Sequence, residues 1–346
     1  MLFKSPSLTD QRRERLEELD RMRAALARVR APAKWTEAIR RISSAQVAAS
    51  STAIEGFRVT LADSIDIGEG LHPDGNRQED VEAIRCYRQA MNFVLAIRDD
   101  PNFTWSLNLL QALHFMVAYF QPHAHPGRFR ESGMGITGWD GQLIYQAPAS
   151  TEVPELMREL VTWLQNTKHH PIVSAAMAHL HLVSIHPYRD GNGRAARVLQ
   201  SLVLVREGIL TPEFASIEVY LGAHTEGYYQ ALRVQGAEYD PSREAGPWLD
   251  FCLEAHRQEA MRLREQLQLA YARNTLSEQI CADHGYPERV VTVLDIALTG
   301  LEMRNETYRT GAGVAIATAT QDLARLVRDG WLVSQGGGRS ARYTAS

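Results

Sequence analysis

The chain has 346 residues, of which 45% are hydrophobic and 23% charged, an ordinary soluble composition with length for two or three domains and a sizeable core. Its formal net charge of -4 gives no global electrostatic footprint for nucleic acid or a membrane surface. Cys86, Cys252 and Cys281 are too few and too widely spaced for a disulfide framework or a zinc site; no apolar run reaches spanning length and the N-terminus lacks a signal-peptide core, so the expectation is a cytoplasmic protein without a membrane partner.

Residues 8–30 place Leu16, Leu19, Met22, Leu26 and Val29 on one stripe among Arg and Glu, which predicts an amphipathic helix broken at Pro32. A second helix runs from about Trp35 to Ile54 and ends at Gly56. Two more follow, over 80–97 with Val81, Ile84, Met91, Val94 and Leu95 inward, and over 105–120 with Leu109, Leu113, Met116 and Phe120 inward. His114 sits on that second stripe and reads as a satisfied core histidine. In Pro126-Gly127-Arg128-Phe129-Arg130, Arg130 either ties the loop down or meets substrate. Residues 134–146 carry the hairpin signal of the core: two β-prone runs flank Gly138-Trp139-Asp140-Gly141, where Asp-Gly favours a tight turn.

Pro171 to Ser184 reads as a buried helix, with Ile172, Ala175, Ala176, His179, Leu182 and Val183 recurring at three- and four-residue steps. Ala195 to Glu207 is another, closed by Gly208. Tyr228 and Tyr229 follow, and Trp248 to Leu269 forms a long amphipathic helix. The last sixty residues change character: helices over 290–298, from Asn305, and over 317–328, then strands at 331–333 and 341–344 about a glycine turn. That order resembles a winged helix-turn-helix. DNA binding by residues 287–346 would need Thr318, Thr320, Gln321 and Arg325 in the major groove and Arg339 or Arg342 on phosphate. Seven Lys/Arg stand there against six Asp/Glu, which favours a protein-interaction or dimerisation wing over a DNA reader.

The chemistry concentrates in Ile185 to Arg197, I-H-P-Y-R-D-G-N-G-R-A-A-R. Pro187, Gly191, Asn192 and Gly193 continue neither flanking helix, so a tight loop feeds a helix N-terminus. Gly191 and Gly193 let successive amides turn inward, and the helix adds its positive end, which makes an anion site suited to phosphate. Asp190 beside it would repel phosphate unless a hard cation such as Mg²⁺ bridges the two. Arg194 and Arg197 are forked donors for further phosphate oxygens, and His186 is the nearby group able to take a proton near neutral pH. A zinc or iron site built from His169, His170, His179, His181 and His186 does not fit, because only His179 and His186 share a helical face.

His186-Pro187-Tyr188-Arg189-Asp190-Gly191-Asn192-Gly193-Arg194-Ala195-Ala196-Arg197 resembles the signature H-x-F-x-[DE]-G-N-G-R-x-x-R of the Fic (Fido) family, with Tyr188 in place of Phe. The resemblance implies a mainly α fold, a Fic helical core with a β-hairpin flap, and protein adenylylation: AMP passes from ATP, with Mg²⁺, to a Ser, Thr or Tyr hydroxyl of a target protein or of the enzyme itself. It casts His186 as base and Asp190 as metal ligand, and has Gly191, Asn192 and Gly193 line the anion hole while Arg194 and Arg197 grip the β- and γ-phosphates. Tyr228 and Tyr229 stand where family members pack an aromatic against adenine or in the core.

Ser51-Thr52-Ala53-Ile54-Glu55-Gly56 is similar to the family's [ST]-x-x-x-E-[GN] inhibitory motif, which implies that Glu55 with Ser51 occupies Arg197 and blocks a productive ATP pose. The flap, Gly138, Gln142, Leu143, Ile144 and Tyr145, would dock an extended target segment by β-augmentation. The expected domains are an N-terminal helical region 1–104 with an inhibitory helix at about 35–56, a catalytic core 105–250, a connector 251–286 and the winged helix 287–346. A homodimer fits this organisation. The alternatives are a DNA-binding regulator whose Fic domain is a sensor, or a Fic-type enzyme that removes AMP.

Overall fold

The computed structural model describes residues 1–27, 33–73, 75–138, 141–209, 216–300, 302–337 and 341–346, with backbone alone at 27 and 33–39. The expectations at Val29, Pro32, Trp139, Asp140 and Arg339 lie outside the described residues. The chain divides into two compact units, the second made chiefly of Leu263–Ser346.

The first unit is helical: α1 (Asp10–Ala27), α2 (Ala33–Ile54), α3 (Leu61–Gly68), α4 (Gln78–Ala96) and α5 (Leu107–Ala118), then strands β1 (Gly135–Thr137) and β2 (Leu143–Gln146). Next come α6 (Val153–Asn166), α7 (Pro171–Ile185), α8 (Asn192–Arg206), α9 (Glu218–Ala223), α10 (Thr225–Leu232) and the first part of α11 (Gly246–His284), which belongs to the second unit from Leu263 on. At its centre is the hairpin of α7 and α8, ringed by α4, α5 and α6. Every residue of α7 from Ile172 to Ile185 is buried, as its Ala, Leu and Val content on all faces requires of a helix without a polar side. Trp248 of α11 closes the core, its indole N–H donating to Ala176 O at 2.7 Å. Side-chain caps fix where helices begin: Ser106 accepts from Leu109 N ahead of α5, and Thr60 from Asp63 N ahead of α3.

Tyr145 pairs with Ile136 in the antiparallel hairpin, and the register slips between Ile136 and Thr137. Sequence reasoning left α3, α6, α9 and α10 unassigned. The amphipathic pattern of α6, with Val153, Leu156, Met157, Leu160 and Leu164 inward, was legible and was missed.

In the second unit α12 (Val290–Ala297), β3 (Met303–Arg304), α13 (Asn305–Ala312), α14 (Ile316–Arg328), β4 (Leu332–Gln335) and β5 (Arg342–Ala345) surround their own core of Val293, Leu294, Met303, Tyr308, Leu323 and Leu326. The sheet runs β3-β5-β4, antiparallel throughout, and β3 is a strand the sequence did not announce. Asp322 is buried here and takes both forks of Arg289, at 2.8 and 3.0 Å, and the Tyr308 hydroxyl at 2.7 Å.

Candidate active site

α7 ends at Ile185, and His186 follows in the left-handed region with φ 49° and ψ 57°, a conformation that non-glycine residues adopt only when their surroundings enforce it. The enforcement is visible. His186 N donates to Leu182 O at 3.0 Å, and its carbonyl accepts from Arg130 Nε at 2.8 Å. Two further Arg130 donors go to Ser132 O and Pro148 O, so Arg130 ties the loop down, one of the two roles open to it from sequence. His186 Nδ1 lies 3.2 Å from Val183 O. A carbonyl oxygen only accepts, so Nδ1 carries the proton and Nε2 keeps its lone pair. Burial lowers the imidazole pKa to about 4 against the Val183 bond, with the Arg130 charge acting in the same direction. The ring is therefore a neutral base at physiological pH.

Gly191 caps α8 with φ 76°, and the helical ladder starts with Ala195 N donating to Gly191 O at 3.0 Å. The amides of Asn192, Gly193 and Arg194 precede it and form the positive end of the helix. Asp190 is held rather than free: Oδ1 accepts from Gly191 N at 2.6 Å and Oδ2 from Gln121 Nε2 at 3.3 Å, while its side chain stays 42% exposed. His114 braces the same turn. Its Nδ1 accepts from Gly127 N at 2.9 Å, so Nε2–H donates to Asp190 O at 2.8 Å, and its ring stacks on Tyr188 with centroids 3.6 Å apart. The core-histidine reading of His114 is thus borne out.

Two side chains expected on the phosphate side are turned inward. Asn192 is buried and clamps the loop, its Oδ1 accepting from Tyr188 N at 3.0 Å and its Nδ2 donating to Tyr188 O at 2.9 Å; only its amide stays with the anion nest. Arg194, 1% exposed, donates to Val117 O and Gln121 Oε1 at 2.9 and 2.7 Å and lies 5.3 Å from the rings of both Phe57 and Phe120. Its guanidinium braces α5 behind Asp190, held by the aromatic faces, a carbonyl and an amide oxygen, while its Nε has no hydrogen-bond partner among the described residues.

Arg197, also buried, sits at the junction of α8 with the end of α2. Its Nε donates to Ser51 Oγ at 2.7 Å, and its Nη2 donates to Ser51 O at 3.0 Å and to Glu55 Oε1 at 2.7 Å. Burial is the largest influence and works against the charged guanidinium, but Glu55, Tyr228 and Tyr87 together outweigh it and raise the pKa. Nη1 is buried without a hydrogen-bond partner. It faces Gly193, where an added Cβ would stand 3.2 Å from it and would collide with Glu55 Oε1. Glycine at 193 therefore leaves room for an acid and a guanidinium over the same helix end.

Residues 104–204 match the Fic/DOC family. A protein adenylyltransferase Fic of Culex quinquefasciatus is 31% identical over 56% of this chain and 39% of its own, and a probable protein adenylyltransferase of Aquifex aeolicus is 36% identical over 32% and 33%. Residues 104–204 are a Fic domain. The chain spans only about four tenths of the curated relatives it matches. In fold it is similar to a Fic family protein from Desulfovibrio desulfuricans G20, with a TM-score of 0.63 and 23% identity across 99% of this chain and 98% of that one. It also resembles Fic-1 from C. elegans, with a TM-score of 0.61 and 22% identity across 74% and 72%.

Around the Fic loop, Leu143 and Ile144 of the flap are exposed at 57% and 48%, and Gly138 N closes the hairpin on Gln142 O at 2.8 Å. Tyr145 is not on the docking face. It is buried, and its hydroxyl donates to Ser184 O of α7 at 2.6 Å. Tyr228 is likewise a core residue, its hydroxyl donating to His179 Nε2 at 3.0 Å while His179 Nδ1–H meets Gln200 Oε1 at 2.7 Å. Tyr229 is 50% exposed, with its hydroxyl 3.4 Å from Ile54 O. Sequence reasoning missed Gln121, which links Arg194 to Asp190, as well as Tyr87 and Glu218 behind Ser51. None carries a local motif, since each acts by reaching across helices.

Proposed function

We propose that the protein is an autoinhibited adenylyltransferase that moves AMP from ATP to a Ser, Thr or Tyr hydroxyl of a target protein. The observation that carries this is a neutral His186 with a free Nε2 lone pair beside a nest of unladdered amides at Asn192–Arg194. His186 takes the hydroxyl proton as the oxygen attacks the α-phosphorus. The new P–O bond forms as the bond to the bridging oxygen breaks, and pyrophosphate leaves with that electron pair. The Asn192, Gly193 and Arg194 amides meet the negative charge that develops on the transferring phosphoryl group. Asp190, one partly exposed carboxylate, suits Mg²⁺ that keeps most of its ligands from nucleotide phosphates and water; when bound, the ion neutralises phosphate charge. Arg197, once free of Glu55, holds the terminal phosphate.

The N-terminal region to residue 104 then serves as carrier of the inhibitory helix, 105–250 as the catalytic core and 251–286 as a connector. The flap strand, exposed at Leu143 and Ile144, offers an edge for an extended target segment. For residues 287–346 the order helix, strand, helix, helix, strand, strand supports a winged helix-turn-helix. Arg289, Arg309, Arg325 and Arg342 each have an acid of the same unit at ion-pair distance, and Arg325 also caps His284 O and covers the Tyr286 ring. Charges so compensated favour a protein partner, a second copy included, over DNA phosphates. The test is mass spectrometry of purified protein and lysate proteins after incubation with ATP and Mg²⁺. AMP adducts are expected with Glu55→Gly and absent with Glu55→Gly/His186→Ala. Adducts that persist without His186, or none in either protein, overturn the reading.

A further inference from the structure

α9 meets the end of α2 where Gly222 faces Ser50. A Cβ at 222 would stand 2.9 Å from Ser50 Cβ and 3.2 Å from both the Cα and the carbonyl oxygen of Ser50. Two of those are main-chain atoms, so no rotamer change makes room. Gly222 lies within a regular helix and not among the positive-φ glycines, so local conformation does not call for glycine there; the approach of α2 does. One helical turn earlier, Glu218 is buried and accepts from the Tyr87 hydroxyl at 3.0 Å and from Ser201 Oγ at 3.1 Å. That Tyr87 hydroxyl lies close to Ser51. From α10 the Tyr229 hydroxyl reaches Ile54 O at 3.4 Å. Ser50, Ser51 and Ile54 are thus seated from below, and Glu55 follows them onto Arg197 at 2.7 Å.

We infer that Gly222 is a positioning residue of the autoinhibitory contact. By letting α9 touch the Ser50 main chain, it sets how deeply α2 seats and hence whether Glu55 reaches Arg197. This rests on the inhibitory reading of Glu55 given above. Ordinary carbon contacts lie at about 3.5–4.0 Å, so a methyl at 222 drives the two helices apart by roughly half an ångström and a branched side chain by more. Charged hydrogen bonds run at about 2.7–2.9 Å and weaken past roughly 3.2 Å, so such a displacement takes the 2.7 Å Glu55–Arg197 bond to the edge of that range.

The test places Gly222→Ala and Gly222→Val in the full chain, with and without Glu55→Gly. It reads AMP incorporation from ATP together with amide hydrogen exchange over Ser50–Glu55. With Glu55 present, incorporation rises several-fold for alanine and further for valine, and exchange over Ser50–Glu55 speeds up. With Glu55→Gly, neither substitution raises the rate further, whereas a merely structural role would lower it in both backgrounds. Unchanged exchange, or an unchanged or lower rate in a chain that Glu55→Gly activates, overturns the inference. If Glu55→Gly itself incorporates no AMP, the functional reading fails, and exchange alone still decides whether Gly222 seats α2.

Discussion

Replacing Glu55 by glycine removes one partner of a guanidinium that keeps two others, Ser51 Oγ and Ser51 O, and the size of the effect follows from that. Arg197 is 1% exposed and Glu55 23%, with 2.7 Å between Nη2 and Oε1. Net contributions of hydrogen bonds to charged groups run at about 1.5–3 kcal/mol. ATP must displace this bond before Arg197 can hold the terminal phosphate, so the wild type carries that free energy as a penalty on the productive pose. At about 1.4 kcal/mol per factor of ten, Glu55→Gly should raise the rate roughly 10- to 100-fold. Ser51 Oγ and Ser51 O keep Arg197 in place in the variant, so the gain is not offset by a wandering guanidinium. The assay is the initial rate of label transfer from α-labelled ATP to protein at saturating nucleotide. Glu55→Gln, which keeps a hydrogen bond without the charge, should fall between the two. Equal rates for wild type and Glu55→Gly, with both well above the rate of a His186→Ala variant, would refute autoinhibition in cis.

Acid should unfold this protein early. Burial lowers the pKa values of His179, His181 and His256 to about 3 and that of His114 to about 4, all below the unfolded value near 6.5. The unfolded chain therefore binds more protons, and the stability these groups contribute is full above about pH 6.5 and lost as pH falls toward 4. At pH 5 each costs roughly 2 kcal/mol, so chemical-denaturation midpoints should drop steeply between pH 6.5 and 5; a flat profile would contradict neutral burial. Asn192→Ala leaves the Tyr188 amide and carbonyl without their side-chain partners and should cost about 1–3 kcal/mol along with most activity. Tyr188→Phe loses only the hydroxyl bond to Leu110 O, which is 3.0 Å long, and should cost about 1 kcal/mol with activity retained. Thermal denaturation of the two variants side by side checks the order. Arg130→Lys keeps the charge but not the fork that spans His186 O, Ser132 O and Pro148 O. It should lower kcat while leaving the KM for ATP near the wild-type value; steady-state kinetics in the Glu55→Gly background would show it.

What the sequence determined is local. The two buried helices and the glycine-bounded turn between them follow from residue types whose backbone preferences act within a few positions: alanine and leucine on every face of α7, and Gly191 where a positive φ is required. The terminal helices and the last two strands were readable for the same reason, unlike β3, a two-residue strand fixed by its pairing with β5 and by Met303 in the core. The tertiary structure decided where long side chains go. Arg194 and Arg197 stand three residues apart on one helix, yet one turns to Phe57, Phe120 and Gln121 while the other meets Ser51 and Glu55. Tyr145 and Tyr228 went to the core on the strength of single acceptors, Ser184 O and His179 Nε2. A guanidinium or a phenol reaches as far as the gap between neighbouring helices, so its partner is fixed by packing among segments distant in sequence, which no periodicity within the chain records.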